Sequence, residues 1–508
     1  MLTPQEEINQ KIEWSGLTPH QNEGEQAFML RLRIPTGSLT APQLKMIARI
    51  ASEKAKDFAD ITTRQDLQLH WVKAVDVSGI LEDLRSVRIH TLGIGGDTLR
   101  NIVGCPVSGV DALEYFDASP LVTQVQDFFQ GNPEFSNLPR KVKVSIAACR
   151  EQCQQPEIHC VSFVGMERRI DGSAQQGFDV RAGGGLALNG SFAQRMNAFI
   201  PSERVLSVLK AILELYRAAP EVRGDRSKAR LKFLIADWGI EKFRQAVQAK
   251  LDFTLEEAGP LEDPPDAYKD HVGVHEQRQP GLFYIGVPVL IGRISGPQMR
   301  KVADLAERHG NGSIRLTVRQ NLLILNVQKD NVASLLEGLE SVNLSLNASP
   351  ILRGVVTCTG KEFCRLAVTE TKRFAGEIVE YLQSRVSLEE PLRIHVAGCP
   401  AACAQSPIAH IGLQGSQAQV GDRLVEAYDL AVGGQLGRDR AFNHFVAQGL
   451  PAGEVKFRLE QLLVGYKKLR KVGETFNDFC RRLGDEGVAR LLSPPEPAAS
   501  PRSNRAGG

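Results

Sequence analysis

Two stretches of the chain carry thiols at spacings that bear on metal chemistry: VVTCTGKEFCRLAVTETK and RIHVAGCPAACAQSPIAHIGLQG. They set out Cys358, Cys364, Cys399 and Cys403, with five residues inside the first pair and three inside the second. Soft thiolates at four points suit zinc or an iron–sulfur cluster. Structural zinc sites favour knuckles of C-x2–4-C, and the Cys358–Cys364 gap is wide for that. The run also differs from the C-x2-C-x2-C of bacterial ferredoxins. Gly398 and Pro400 flank Cys399 in what reads as a tight loop, whose backbone amides can point at a cluster. Buried, unliganded cysteine is the plain alternative for any one of these thiols. A fainter copy, VSIAACREQCQQPEIHCVSFVG, places Cys149 and Cys153 at the same three-residue spacing.

Composition narrows the setting. A chain of 508 residues is too long for one ordinary core, so two or more domains are expected. A net charge of +2 gives no global pull toward nucleic acid or membrane. The start, MLTPQEEINQKIEWSG, lacks the apolar segment of a signal peptide. No apolar run approaches the roughly 18 residues of a spanning helix. A cytoplasmic setting follows as the expectation, and there nine cysteines are expected as ligands or small core residues rather than disulfides.

Self-comparison shows a duplication. Arg64 in DITTRQDLQLHWV returns as Arg319 in IRLTVRQNLLILNV, 255 residues on. Arg100 and Cys105 of RNIVGC match Arg353 and Cys358 of RGVVTC at an offset of 253. Cys149 and Cys153 match Cys399 and Cys403 at 250. Ordered landmarks with so little drift mark two related halves, joined near the polar, proline-bearing LEDPPDAYKDHVGVHEQRQPG.

Each half then needs elements that position its thiols and cations. FMLRLRIP and DITTRQDLQLHWV alternate as strands, and LTAPQLKMIARIASEKA has helical periodicity with Pro42 in its first turn. The β-α-β-β-α order predicts a ferredoxin-like unit, and the two copies are expected to pair into one larger sheet. KVKVSIA and LRIHVA read as short strands leading into the thiol loops, and Ser202 is expected to cap the helix of PSERVLSVLKAILELYRAA. The fold class is therefore α+β and internally duplicated. Two ferredoxin-like units (1–90 and 256–345, the second with the linker) form one domain, beside two related α/β domains (91–255 and 346–492). Residues 493–508, Pro/Ser/Gly-rich, read as a disordered tail.

CTGKEFC followed by GCPAAC resembles the paired cysteine motifs of the ferredoxin-dependent sulfite and nitrite reductases. FMLRLRIP, DITTRQDLQLHW, DTLRNIVGCPVSG, GNPEFSNLPRKVK and KARLKFLIADWGIEKF are similar to that family too, in its order. The resemblance covers nearly the whole chain except the tail. It departs at GCPAAC, where many members have GCPNSC, a change that alters loop hydrogen bonding at Ala401 and Ala402 and spares the ligands. It implies a [4Fe–4S] cluster on Cys358, Cys364, Cys399 and Cys403, with Cys403 bridging to the iron of a sirohaem. It also implies that Arg64, Arg100, Lys141 and Lys143 surround the bound anion. Arginine suits oxyanion oxygens as a fork, and lysine is the better proton donor when buried beside other cations. Arg319 and Arg353, their counterparts in the second half, are assigned to sirohaem carboxylates.

The resemblance implies reduced ferredoxin as donor, and neither a Rossmann fingerprint nor a flavin module stands against it. KKLRKVGE near Lys467 is one basic patch for such a partner, and a monomer is expected. For the substrate, RKVK carries a second lysine where nitrite reductases of the family commonly have asparagine. A second ammonium favours the more highly charged anion, so the expectation leans to sulfite reduction to sulfide, with nitrite to ammonia as the alternative. A non-catalytic iron–sulfur electron-transfer protein and a zinc-stabilised binding protein are the more distant readings. In the early copy Asp111 stands where Cys364 stands later. Cys105, Cys149, Cys153 and Asp111 could in principle hold a second cluster, and the expectation is that they are a remnant of duplication.

Overall fold

The computed structural model describes residues 4–20, 27–170, 172–266 and 269–493; most of the tail, 494–508, lies outside the described residues. The first ferredoxin-like unit runs through strand Ala27–Leu32, helix Ala41–Lys54, strands Phe58–Ile61 and Leu67–Lys73, and helix Val77–Ser86. The second repeats this with Leu282–Val287, Gly296–His309, Ser313–Leu316, Leu322–Gln328 and Val332–Glu340. Both long helices open on the same device. Thr40 and Ser295 each accept from the backbone of a glutamine three residues on, and that glutamine's side chain accepts the cap's own N–H.

The two units do not merge into one continuous sheet, contrary to the expectation. They exchange short edge strands instead. Ser38–Thr40 of the first unit pairs with Ser313–Leu316 of the second, and Arg293–Ser295 pairs with Phe58–Ile61. Each unit thus sits in a five-stranded sheet completed by the other, and the edges of Phe58–Ile61 and Ser313–Leu316 are each covered by a strand of the other unit. One apolar core, including Leu30, Ile47, Leu69, Ile285, Val302 and Ile324, spans both.

The other two domains share a second pattern. Val144–Ala147 runs parallel to Val161–Ile170, which turns back antiparallel as Ser173–Ala182 and Gln194–Ile200. In the second half Ile394–Ala397, Ile411–Val420, Arg423–Val432 and His444–Pro451 repeat it, with Val355–Thr357 added at the edge. The register repeats as well: Val144 faces Val161, and Ile394 faces Ile411. Helices cover these sheets, Ser119–Phe129 and Val205–Ala218 in the first and Lys372–Gln383, Ala452–Leu469 and Phe476–Leu492 in the second. The Ser202 cap is not made. The chain enters this helix through a 3-10 turn, Ser202–Arg204, whose Arg204 N–H is satisfied by the Pro201 carbonyl.

Glutamines tie the layers together. Gln65 and Gln320 follow Arg64 and Arg319, and both adopt positive φ, 60° and 63°. The Gln320 amide donates to the carbonyls of Ile61 (2.7 Å) and Thr357 (2.9 Å) and accepts from Thr357 N–H (2.8 Å). Gln65 mirrors this, donating to Leu316 (2.9 Å) and accepting from Gly104 N–H (2.9 Å). Each glutamine therefore joins one unit's tight turn to the other unit's sheet and to the thiol domain that follows its own. Gln155 and Gln405, each just after a thiol pair, bond each other at 2.8 Å. Truncating Gln320 to alanine leaves buried backbone groups unpaired, at a cost of roughly 1–3 kcal/mol each. Gln320→Ala is expected to lower unfolding stability by about 3 kcal/mol in urea titration; an unchanged midpoint would show that the crossing carries no stability.

Candidate cluster site and anion pocket

The four second-half thiols converge on one loop cluster. Cys358 ends strand Val355–Thr357, its N–H bonded to the Val396 carbonyl of the adjoining strand. Gly360, at φ +74°, turns the chain so closely that a Cβ would lie 2.4 Å from Thr371 Oγ1. Phe363, fully buried, stacks on His70 at 4.0 Å and pins the segment that presents Cys364. His70 is held in turn by Asp60, which Arg293 clamps at 2.8 and 3.1 Å. The Gly398 N–H donates to Cys358 Sγ at 3.2 Å, so one backbone amide of the GCP loop does point at a sulfur.

The thiols sense one another's charge. Burial, then the neighbouring Cys403, pushes the Cys358 thiol up to about 12. Cys399 is raised by burial and by Cys403 and Cys364. Thiols raised in this way, as Cys358 and Cys399 are, become thiolates only around a cation that replaces their protons. Among the described residues, the three-donor group compact enough for a single ion, with all atoms within 4.8 Å, lies elsewhere. The second-half donors are spread more widely, as ligands on separate irons of a cubane must be. The donor set fits a [4Fe–4S] cluster.

Cys403 is exposed and faces a different environment. Thr63 Oγ1 donates to its carbonyl at 3.0 Å, tying it to the turn that carries Arg64. Lys141 and Lys143 both feel the Cys403 thiol. These lysines stand on either side of buried Val142, whose single parallel bridge to Leu99 precedes strand Val144–Ala147. Burial beside Arg100 and other cations brings Lys141 down to about 8, and burial beside Arg64, Arg230 and Lys141 brings Lys143 to about 7. Arg64 and Arg100 are lowered to about 10 and 9, first by burial. Arg64 donates to the Asn101 carbonyl, and Arg100 to those of Ile94 and Gly96 (2.7 Å), so backbone carbonyls aim both guanidinium groups. The structure thus brings Arg64, Arg100, Lys141, Lys143 and Cys403 together.

Three further cations belong to this group: Arg31, Arg33 and Arg230. Arg230 donates to the buried Cys160 sulfur at 3.0 Å, and Lys143 N–H does so at 3.3 Å, which lowers that thiol despite its burial. The alternation in FMLRLRIP puts Arg31 and Arg33 on one strand face and was a readable signal. Nothing in local spacing pointed to Arg230 or Cys160. Asp66 is the central carboxylate here, and burial raises it to about 6 against the pull of four arginines. The Nε atoms of Arg33, Arg64, Arg100 and Arg230 are buried without hydrogen-bond partners. A polycarboxylate macrocycle such as sirohaem suits so many under-neutralised cations beside a thiol.

Arg319 and Arg353 are placed in the mirror-image pocket. Arg353 clamps Asp270 of the linker at 2.7 and 2.9 Å, and Arg393, the counterpart of Lys143, pairs with Asp266. Arg319 lines a cavity there with Cys153, Glu151, Asp266 and Lys269. On the outer surface, Lys467 and Lys468 end helix Ala452–Leu469 beside Arg385, whereas the exposed Lys361 and Arg365 flank Cys364.

The description "Nitrite and sulphite reductase 4Fe-4S domain" matches residues 95–255 and 349–496, and "Nitrite/Sulfite reductase ferredoxin-like half domain" matches 20–87 and 275–342. The chain is 36% identical to an assimilatory ferredoxin-dependent nitrite reductase of Haloferax mediterranei, over 96% of this chain and 87% of that one. It is 35% identical to sulfite reductase [ferredoxin] 1 of Mycolicibacterium paratuberculosis, covering 93% and 85%. The solved structure of Mycobacterium tuberculosis NirA superposes with a TM-score of 0.89 at 32% identity, over 94% and 90% of the two chains. The fold and these matches define a redox enzyme built on a duplicated ferredoxin-like core. The chain belongs to the ferredoxin-dependent nitrite and sulfite reductase family, and its cofactors are a [4Fe–4S] cluster and sirohaem. Among the described residues no helix is long and apolar enough to cross a membrane.

A lysine is a cation only below its own pKa, and here both values are displaced downward. If both ammonium groups serve the anion, kcat/KM is expected to hold at lower pH and decline as pH rises through about 7 to 8. Lys143→Arg keeps the charge and should move the onset of that decline upward. An unmoved profile would remove Lys143 from the titrating set.

Proposed function

We propose that the chain reduces nitrite to ammonia with electrons from reduced ferredoxin. The observation that carries this reading is the match to the Haloferax nitrite reductase along 96% of the chain. A ferredoxin–nitrite reductase of Leptolyngbya laminosa, 36% identical over 89% of both chains, supports it. Sulfite is the second reading, favoured by Lys143 in RKVK and by the Mycolicibacterium relative. The charge argument for sulfite needs Lys143 to be a fixed cation. A side chain brought to about 7 by burial and by Arg64 is not one, which weakens that argument at its premise.

In this proposal Cys358, Cys364, Cys399 and Cys403 would hold the cluster, and Cys403 would also ligate the sirohaem. A haem held there would supply an iron for the anion, and the cluster would supply its electrons. The chain's own residues do the rest. Arg64 and Arg100, aimed by backbone carbonyls, attract and orient the anion's oxygens. Lys141 and Lys143, displaced toward neutrality, release protons as oxygen leaves as water and nitrogen is protonated. A proton donor with a pKa near the working pH both carries its proton and gives it up, which is why their burial matters. Arg319 and Arg353 stay outside this assignment, since their counter-charges come from the linker side.

Cys403→Ser is expected to lose the haem absorption and the cluster signal together, because one thiolate serves both. Cys480→Ser, in the core of the last helix, should keep both. Full sirohaem content in the Cys403 variant would refute the shared ligand.

The function is tested by steady-state turnover on nitrite and sulfite side by side, with reduced ferredoxin as donor. A higher kcat/KM for nitrite is expected, and a preference for sulfite would overturn the reading. Lys143→Asn is expected to lower kcat/KM for nitrite and sulfite to a similar extent, and a loss at least tenfold larger for sulfite, about 1.4 kcal/mol of differential interaction, would restore the charge argument. Equal losses would show that Lys143 does not distinguish the anions by charge.

A further inference from the structure

The duplication leaves a second thiol group that the proposed chemistry does not use. Cys105, Cys149 and Cys153 occupy the places of Cys358, Cys399 and Cys403. Their sulfurs all lie within 4.8 Å of one another, and Cys149 and Cys153 approach to 3.4 Å. Cys105 and Cys149 are buried, in an apolar cluster with Val107, Val110, Tyr284 and Leu325. The last two come from the second ferredoxin-like unit. Thiolates on a cubane's separate irons stand further apart than this. Around one tetrahedral ion with metal–sulfur bonds of about 2.3 Å, the sulfurs stand about 3.8 Å apart. The spacing therefore argues against a second cluster and equally against three idle remnants.

A fourth donor stands near the three sulfurs, though outside the 4.8 Å group they form. Cys149 senses two other titratable groups that could ligate, Asp111 and His271. Asp111 already accepts the Leu113 N–H at 2.9 Å. His271 is buried, and its Nε2 has no hydrogen-bond partner. It follows Asp270, whose carboxylate clamps Arg353, so this part of the linker is held in place against the second thiol domain.

We propose that Cys105, Cys149, Cys153 and His271 form a structural site for one zinc ion. Three thiolates and one imidazole make a closed, soft, tetrahedral set without an open position for a substrate. Binding releases the three thiol protons to solvent, and no electron changes hands. The ion joins three parts of the chain: the first thiol domain, the linker, and through Tyr284 and Leu325 the sheet of the second ferredoxin-like unit. It thereby fixes the linker whose aspartates neutralise the mirror pocket.

The test is metal analysis of the dialysed, chelator-washed holoenzyme, with X-ray absorption at the zinc edge. The expected result is about one zinc beside about five irons per chain, with three zinc–sulfur distances of about 2.3 Å. Cys153→Ser, at the half-exposed position, and His271→Ala should each lower retained zinc at least tenfold while the iron content and the haem spectrum persist. The absorption measurement on the unaltered enzyme stands even if a variant folds poorly. Less than a tenth of a zinc per chain with three titratable thiols would overturn the proposal. So would a Cys149–Cys153 disulfide in peptide mass spectra, about nine irons per chain, or zinc bound without sulfur neighbours.

Discussion

The arrangement depends on one constraint: positive charge withdrawn from water must meet negative charge or give up its protons. Around Cys403 the cations Arg31, Arg33, Arg64, Arg100, Lys141, Lys143 and Arg230 crowd a region whose central carboxylate, Asp66, is itself raised by burial. The two lysines respond by sliding toward neutrality, since an ammonium group loses its proton more readily than a guanidinium. The mirror pocket solves the same problem differently. There Asp266 and Asp270 of the linker pair with Arg393 and Arg353, so charge is balanced within the polypeptide. The duplication supplied two similar cationic pockets. The linker aspartates fill one of them, and the other keeps its cations under-neutralised, as the proposed anionic cofactor and substrate would require.

A pocket assembled from several domains holds its shape only if those domains keep their relative positions. The exchanged edge strands Ser38–Thr40 and Arg293–Ser295 make each ferredoxin-like unit incomplete without the other. Gln65 and Gln320 extend the coupling outward, each using one buried amide to join a turn, a neighbouring sheet and a thiol domain. The residue before each glutamine is the arginine of the pocket on that side. Placement of Arg64 is thus a consequence of the crossing. Its positive-φ neighbour is affordable only because three parts of the chain hold it.

What was legible in the sequence was what repeats or alternates. The offsets between Arg64 and Arg319, and between Cys149 and Cys399, carried the duplication, and the strand registers of the two thiol domains follow it residue for residue. Period-two alternation found the strands, and Pro42 marked a helix start that the structure keeps. Contacts made across domains were not legible. Arg230 reaches Cys160 over a separation of 70 residues, and Arg353 meets Asp270 over 83. No local pattern encodes either pair. Ser202 was misread as a cap because the intervening 3-10 turn satisfies the backbone first. The expectation of one merged sheet failed for a related reason: three-residue edge strands complete a partner's sheet more readily than they extend a common one.

The substrate question turns on the same charge balance. Read from sequence, Lys143 is a second positive charge and speaks for a dianion. Read in place, it lies between Arg64, Arg230 and Lys141, and its charge depends on pH within the working range. A group so placed is better suited to delivering protons than to measuring the charge of an anion. Nitrite reduction to ammonia removes both oxygens as water and protonates nitrogen repeatedly, so proton supply is as much a requirement as electron supply. In the proposed reading Arg64 and Arg100, with pKa values that stay well above neutrality, are the groups that bind the anion whichever way the lysines stand. Under that proposal, attraction and protonation are divided between two residue types. Each role goes to the side chain whose acidity survives burial in the form that role needs.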